Sequence, residues 1–246
     1  MKIAMSLLTC GLIGLTAAGC GSSRRPGPTP GTTTGAANTS SAATTQGLPG
    51  SYLGTYASGS GQVDHGRVGV IVFPDLSFSA IAVSELDEDV RESFQGSLAP
   101  DGTVRSVVSY GGTAFTCDLT RLTGSYASNV SAGTFVLHRA APGGTAGCYG
   151  GTTTNVTLGI TGQWMGIVDE QQRLFALYYY PYPVPYLSEG VQGTVTPDGA
   201  GGHAISAGNT SNTITGTGTL VNGWISGVWS SPGQGQSGTW TGARAP

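Results

Sequence analysis

Short stretches in which apolar and polar residues alternate make up most of the chain from residue 49 onward. In residues 103–110, for example, Val104 is followed by Arg105, and Ser106 by Val107. A period of two is typical of β-strands, because successive side chains of a strand point to opposite faces. No window of ten or more residues shows a helical period, so the pattern predicts an all-β fold.

Turn residues separate these stretches. Pro-Asp-Gly occurs at 100–102 and again at 197–199, and Pro74-Asp75 separates two apolar runs. Asn222-Gly223, between 213–221 and 224–229, is the strongest hairpin signal in the chain, since both residues tolerate the positive φ of a type I′ turn. We therefore expect an antiparallel meander.

Three sequence matches indicate an internal repeat, and they occur in the same order in both halves. They pair Gly50–Gly54 with Gly162–Gly166, Phe94–Gly102 with Val191–Gly199, and Ala132–Phe135 with Ser237–Trp240. Closing such a meander removes exposed edges, either as one composite barrel or as two small barrels or sandwiches. We expect β repeat 1 at 49–141, a connecting segment at 142–161 and β repeat 2 at 162–246.

The composition supports this interpretation. Gly 42 and Pro 13 together occupy 55 of 246 positions, and both residues are unfavourable inside helices. Beyond residue 20 nine Arg stand against thirteen Asp and Glu, a balance of 9 − 13 = −4. An acidic chain without basic clusters is a poor binder of nucleic acid, so we expect no nucleic-acid partner.

The N-terminal segment has the features of an export signal. Lys2 precedes an apolar stretch that is too short to span a bilayer. Residues 15–20, Leu-Thr-Ala-Ala-Gly-Cys, resemble the lipobox of bacterial lipoproteins, although Ala17 stands where that family usually has Leu. The resemblance implies cleavage after residue 19, diacylglycerol and a further acyl chain such as palmitate on Cys20, and anchoring to the membrane.

Residues 20–48 follow as the lipidated N-terminus and a Gly/Ser/Thr/Pro linker, which has nothing apolar to bury and is typical of a flexible tether. Gly21, in place of Asp, implies by the same resemblance transfer to the outer membrane. In a broad sense residues 50–246 resemble the meander β-barrel domains of bacterial surface lipoproteins and the lipocalin-like group.

Two cysteines, Cys117 and Cys148, lie in the exported part, and no Cys/His cluster suggests a metal. An oxidising compartment favours a disulfide between them, which we expect.

Catalytic signatures are missing from the sequence. The three histidines, His65, His138 and His203, stand in unrelated contexts, and the formal GxGxxG at 233–238 has no helix after it. We predict no enzymatic activity, no cofactor and no metal, while a hydrolase with paired carboxylates remains an alternative.

The most unusual segment is rich in tyrosine and proline. Tyr178, Tyr179, Tyr180, Tyr182 and Tyr186 are half of the ten tyrosines. Alternating Pro and Tyr predicts an extended excursion. It either offers a contact surface for a partner or caps one end of a barrel.

Taken together, these features predict a lipid-anchored envelope protein whose β-barrel domain is a structural or binding module. The envelope face is left open. Its partner is either an envelope protein or, as an alternative function, a small apolar ligand carried inside the barrel.

Overall fold

The computed structural model describes residues 47–87, 91–109, 111–179, 188–209 and 213–246. They form sixteen strands and one short 3₁₀ helix, and all lie within the compact unit Ala42–Pro246. The predicted signal peptide, Cys20 and most of the linker lie outside the described residues. No helix in the described part of the chain is long and apolar enough to span a membrane.

The first eight strands form one antiparallel sheet with the order β4-β3-β2-β1-β8-β7-β6-β5. The strands are β1 (Gly50–Gly61), β2 (His65–Val72), β3 (Ser77–Ser84), β4 (Arg91–Ser97), β5 (Thr103–Val108), β6 (Ala114–Asp118), β7 (Thr123–Ala127) and β8 (Ser131–Arg139). Because β1 pairs with β8, the sheet curls into a nearly closed barrel with a slit between β4 and β5. We call it the first barrel.

The last eight strands form a closed barrel, the second barrel. They are β9 (Gly147–Asn155), β10 (Ile160–Val168), β11 (Arg173–Tyr179), β12 (Ser188–Pro197), β13 (His203–Gly208), β14 (Thr215–Val221), β15 (Trp224–Ser231) and β16 (Gln236–Arg244), with the 3₁₀ helix Pro232–Gln234 before β16. The predicted all-β antiparallel meander is confirmed, in the form of two barrels rather than one composite barrel.

The connecting segment expected at 142–161 is wrong in one respect, since it contains the strand β9. The signal for this strand was weak because Gly147-Cys-Tyr-Gly-Gly151 and the threonines after it carry little apolar alternation. Without β9 the second barrel would have an open edge, because β9 pairs with both β10 and β16.

Both barrels begin with the same Gly-x-Tyr-x-Gly device. The hydroxyl of Tyr52 donates to the carbonyl of Leu48 at 2.7 Å, and that of Tyr149 donates to the carbonyl of Thr145 at 2.6 Å. Tyr52 is paired with Arg139 of β8, and Tyr149 with the corresponding arginine of β16. The first strand of each barrel therefore has the same tyrosine hydrogen bond and the same pairing with an arginine of the last strand.

Close backbone approach explains the last glycine of this device. A Cβ on Gly54 would lie 2.0 Å from the carbonyl oxygen of Val136, and one on Gly151 would lie 2.0 Å from that of Thr241. Only glycine fits at this separation, since a methyl group there would force the two strands apart.

The repeat therefore aligns β1 with β9, and the first predicted match, of Gly50–Gly54 with Gly162–Gly166, is displaced by one strand. Tyr52 and Tyr149 are 97 positions apart, as are Phe94 and Val191. The other two matches, of β4 with β12 and of β8 with β16, fall on equivalent strands.

The two barrels pack through the outer faces of β1–β3 and β9–β11, along what we call the seam. Its buried side chains are apolar: Leu53, Ile71, Ile81, Val83, Ala140, Cys148, Met165, Ile167, Phe175, Leu177 and Ala245. Strands buried on both faces read as nearly continuous apolar runs, which is the pattern of Val68–Val72 and Leu174–Leu177.

An ionic cluster closes one side of the seam. Asp169, 3% exposed, pairs with Arg67 at 3.3 Å and with Arg173 at 2.9 Å, and Glu85 pairs with the same two arginines at 2.9 and 3.4 Å. Both guanidinium groups lie over the ring of Phe175. Burial raises the pKa of Asp169, an effect that Arg67 opposes.

The predicted disulfide is not formed, and Cys117 and Cys148 are buried free thiols. Cys117 lies in the core of the first barrel, whereas Cys148 lies in the seam, where its thiol donates to the carbonyl of Tyr52 at 3.3 Å. The wall of the first barrel thus separates the two sulfur atoms. Burial raises the pKa of Cys117 to about 12 and that of Cys148 to about 11.

Asp169→Ala tests the ionic cluster. Removing one member of a buried ion-pair group leaves its partners uncompensated, so we expect the free energy of unfolding to fall by about 3 kcal/mol, read from the urea midpoint. Asp198→Ala is the matched control, because Asp198 is exposed and accepts hydrogen bonds only from the backbone of its own turn. A midpoint as little changed in Asp169→Ala as in the control would contradict the role of the cluster.

Candidate functional site

The two ends of the first barrel differ. At one end the hairpin loops carry leucines that pack into the core: Leu48, Leu76, Leu98, Leu119 and Leu122. The chain also enters here, where Arg139 donates to the carbonyls of Gly47 and Pro49. We call this the plugged end.

The opposite end, which we call the mouth, leads into a cavity of about 200 Å³. It is bounded by the loops after β1, β3, β5 and β7, and its floor is a set of stacked rings. Phe115 lies between Phe94, at 4.6 Å between centroids, and Phe135, at 5.1 Å. Period-two alternation brings these rings inward, one from each of β4, β6 and β8.

Polar side chains form the wall above this floor. Asp64, in the loop after β1, accepts hydrogen bonds from the hydroxyls of Tyr56 at 2.8 Å and Ser84 at 2.6 Å. On the other side Glu92 accepts from the hydroxyl of Thr113 at 2.6 Å. Within the described residues, both carboxylates are held by hydroxyl groups and neither has an ion-pair partner.

Tyr126 completes the wall. Its ring meets that of Tyr56 edge to face, with centroids 5.4 Å apart. The Tyr126 hydroxyl is buried and makes no hydrogen bond. Burial raises the pKa of Tyr126, and the nearby side chain of Ser131 opposes this rise. Burial, followed by the hydrogen bond to Asp64, raises the pKa of Tyr56 far more.

Glu92 also spans the slit between β4 and β5. A Cβ on Gly111 would lie 2.6 Å from a carboxylate oxygen of Glu92, and one on Gly96 would lie 2.9 Å from the side chain of Val107. Side chains rather than backbone hydrogen bonds therefore close the slit beside the cavity.

Exposed aliphatic side chains surround the mouth, one on or beside each of its four loops. They are Val63 at 80%, Leu86 at 58%, Val108 at 65% and Val130 at 57% exposure. Large apolar side chains grouped on a surface mark interaction sites more often than isolated ones do.

The second barrel also contains a cavity, but only of about 60 Å³. Its lining is almost wholly apolar and includes Trp164, Trp229, Trp240 and Tyr178. A dry protein cavity that binds benzene measures roughly 150 Å³. Within the described residues, the side chains of this barrel therefore fill its interior and leave no room for the small apolar ligand of the carrier hypothesis.

The tyrosines singled out by sequence are only partly described. Tyr178 stacks on Trp229 and donates to Glu189 at 3.0 Å, and Tyr179 donates to Gln163 at 2.8 Å. These two rings belong to the rim of the second barrel. Tyr180, Tyr182 and Tyr186 lie outside the described residues, so the choice between contact surface and cap stays a prediction.

The histidines lie apart from one another. His65 and His138 are exposed, and the latter pairs with Glu170 at 2.5 Å, while His203 lies 3.5 Å from the hydroxyl of Thr145. Among the described residues, no group of three His, Cys, Asp or Glu is placed to hold a metal ion.

The described residues that line the cavity escaped sequence-based detection because they come from seven strands and three loops. One signal was available. Glu92 is in phase with the inward Phe94, and Thr113 is in phase with the inward Phe115. A carboxylate at an inward strand position indicates a polar end of the barrel interior.

No protein-family model matches the chain, and the search of curated proteins found no relative. The solved structures that resemble it include the following two. Isotype 1 transferrin binding protein B from serogroup B Neisseria meningitidis shares 9% identity with a TM-score of 0.27, over 75% of this chain and 53% of that one. The chain thus spans about half of that protein. A protein of unknown function from the DUF3598 family of Nostoc punctiforme shares 9% identity with a TM-score of 0.26, over 80% and 96% of the two chains. Both likenesses are too distant to inform function.

Replacing the two mouth tyrosines by phenylalanine separates their roles. Tyr56→Phe removes a hydrogen bond to Asp64 and should lower the free energy of unfolding by about 1 kcal/mol. Tyr126→Phe removes a buried hydroxyl that makes no hydrogen bond, so stability should stay unchanged or rise slightly in the same urea titration. Equal losses in both variants would show that the Tyr126 hydroxyl is satisfied within the protein.

Proposed function

We propose that the chain is a non-enzymatic, lipid-anchored binding protein of the bacterial cell envelope, and that the mouth of the first barrel is its binding surface. The observation that carries this proposal is the contrast between the barrels. One is filled, while the other keeps a cavity of about 200 Å³ above an aromatic floor, with exposed aliphatic side chains around it.

The placement of the tether supports the same proposal. The first described residues meet the barrel at its plugged end, where Arg139 holds the carbonyls of Gly47 and Pro49. The mouth is at the other end of the same strands. A lipid on Cys20 would therefore hold the plugged end by the tether and leave the mouth free for a partner.

The distribution of acids and bases supports a binding role rather than hydrolysis. Inverting and retaining glycosidases need two carboxyl groups flanking the scissile bond, one of them a proton donor. Here Asp64 and Glu92 both accept hydrogen bonds from hydroxyl groups of the wall. Groups held in this way are arranged to present negative charge to the cavity.

Cys20→Ser tests the anchor. The variant cannot form the thioether to diacylglycerol, so the protein should leave the membrane pellet for the soluble envelope fraction, and metabolic labelling with palmitate should be lost. Cys10→Ser is the matched control and should keep both label and membrane association. A Cys20→Ser protein that still sediments with membranes and carries label would contradict lipidation at this residue.

Site-specific photocrosslinking in cells tests the mouth. A photoreactive amino acid at Val63 or Val130 should give a discrete crosslinked product. The same amino acid at Val136 or Val228, on strands and exposed to 63% and 55%, should give none. These controls are matched in residue type and exposure.

Identical product patterns at all four positions would contradict a mouth-directed partner.

A further inference from the structure

We propose that the cavity at the mouth of the first barrel is a site for an alkylammonium group, either a lysine side chain of a partner or a quaternary ammonium compound. This inference rests on the proposed function and names the chemistry of its ligand. The juxtaposition that carries it is a set of aromatic rings beneath two carboxylates that have no ion-pair partner within the described residues.

The aromatic part of the site suits a cation. Phe94, Phe115 and Phe135 stack at the floor, and Tyr56 and Tyr126 meet edge to face in the wall. Among the described residues, five aromatic rings line the cavity, and a lining of this kind shields the alkyl groups of an alkylammonium ion and binds the ion better as water is excluded. Phe94, Phe115 and Phe135 are each less than 4% exposed.

The carboxylates supply the net charge. Asp64 and Glu92 line the cavity, and their hydrogen bonds come from neutral hydroxyls, which orient a carboxylate without neutralising it. The cavity is partly enclosed, so its effective dielectric constant lies below that of water and the attraction for a cation is stronger. A cation bound in the cavity would leave intact the hydrogen bonds that Tyr56, Ser84 and Thr113 donate to these carboxylates.

Among the described residues that line the cavity, Arg91 is the one basic residue, and it has an interaction of its own in the structure. This described lining holds two carboxylates and one guanidinium, a balance of one negative charge. The positive charge of Arg91 therefore weakens the binding of a cation but leaves the charge of the lining negative. Removing Arg91 should strengthen the binding of a cation, whereas removing Glu92 should weaken it.

The size of the cavity limits the ligand. About 200 Å³ exceeds the roughly 150 Å³ that takes a benzene ring but is below the range of drug-sized ligands, roughly 300–1,000 Å³. A trimethylammonium head or the end of a lysine side chain is small enough for a cavity of this volume. The exposed aliphatic side chains around the mouth would then contact what the head is attached to.

Choline and its uncharged isostere 3,3-dimethylbutan-1-ol test the proposal on the full chain by calorimetry and saturation-transfer NMR. The two differ by the replacement of N⁺ by carbon, so shape is held constant. We expect choline to bind at least about tenfold more tightly. The second arm of the experiment uses Nα-acetyl-lysine amide, whose ε-ammonium group is free. The cation that binds more tightly, choline or this lysine compound, identifies the source of the ammonium group.

Three isosteric or near-isosteric variants locate the site. Glu92→Gln keeps an acceptor for Thr113 and should weaken choline binding about tenfold, whereas Arg91→Gln should strengthen it. Glu170→Gln, at the exposed His138 pair outside the mouth, should change nothing. Urea midpoints establish that each variant is folded before it is titrated.

Equal binding of choline and 3,3-dimethylbutan-1-ol, no binding of either cation at millimolar concentrations, or unchanged binding in a folded Glu92→Gln variant would each overturn the ammonium proposal. The binding function itself would survive these results if Val63 and Val130 still gave their discrete crosslinks. If choline binding and the crosslinks at Val63 and Val130 were all absent, the binding function would be overturned together with its ligand.

Discussion

The seam is the constraint on which the rest of this structure depends. Two barrels press their outer faces together, so β1–β3 and β9–β11 are apolar on both sides. Gly69 shows how close the contact is, since a Cβ there would lie 2.6 Å from Ile167 and 2.9 Å from the sulfur of Cys148. Burial of this area by the hydrophobic effect holds the barrels in one arrangement, and the ionic cluster around Asp169 fixes its edge.

The seam also decides where binding can occur. One wall of the first barrel packs against the second barrel. Leucines fill the plugged end, where the chain also enters the barrel. The second barrel is closed and filled by tryptophans. Of the two barrel interiors, as far as the described residues show, that of the first barrel has the larger cavity, at its mouth and beside the slit, which side chains rather than a hydrogen-bonded ladder hold shut. The strand order brings Glu92 of β4 against Thr113, in the loop between β5 and β6.

Local patterns sufficed for the strands and turns, because alternation and turn chemistry are properties of neighbouring residues. They failed where long-range contacts decide. Cys117 and Cys148 share a compartment and a plausible spacing, but opposite sides of one barrel wall keep them apart. Strand β9 has few apolar residues because its glycines make room for the last strand of its barrel. Asp64, Glu92 and Tyr126 are separated by tens of residues and converge only when the sheet curls.

In this structure the first barrel is open to a ligand and the second is not, and a high-resolution crystal structure of the chain grown with choline is the sharpest check of that difference. We expect density for choline between Asp64, Glu92 and the rings of Tyr126 and Phe94, with the interior of the second barrel unchanged. Density for the ligand beside Trp229 in the second barrel, or a first barrel whose mouth is filled by its own side chains, would contradict it.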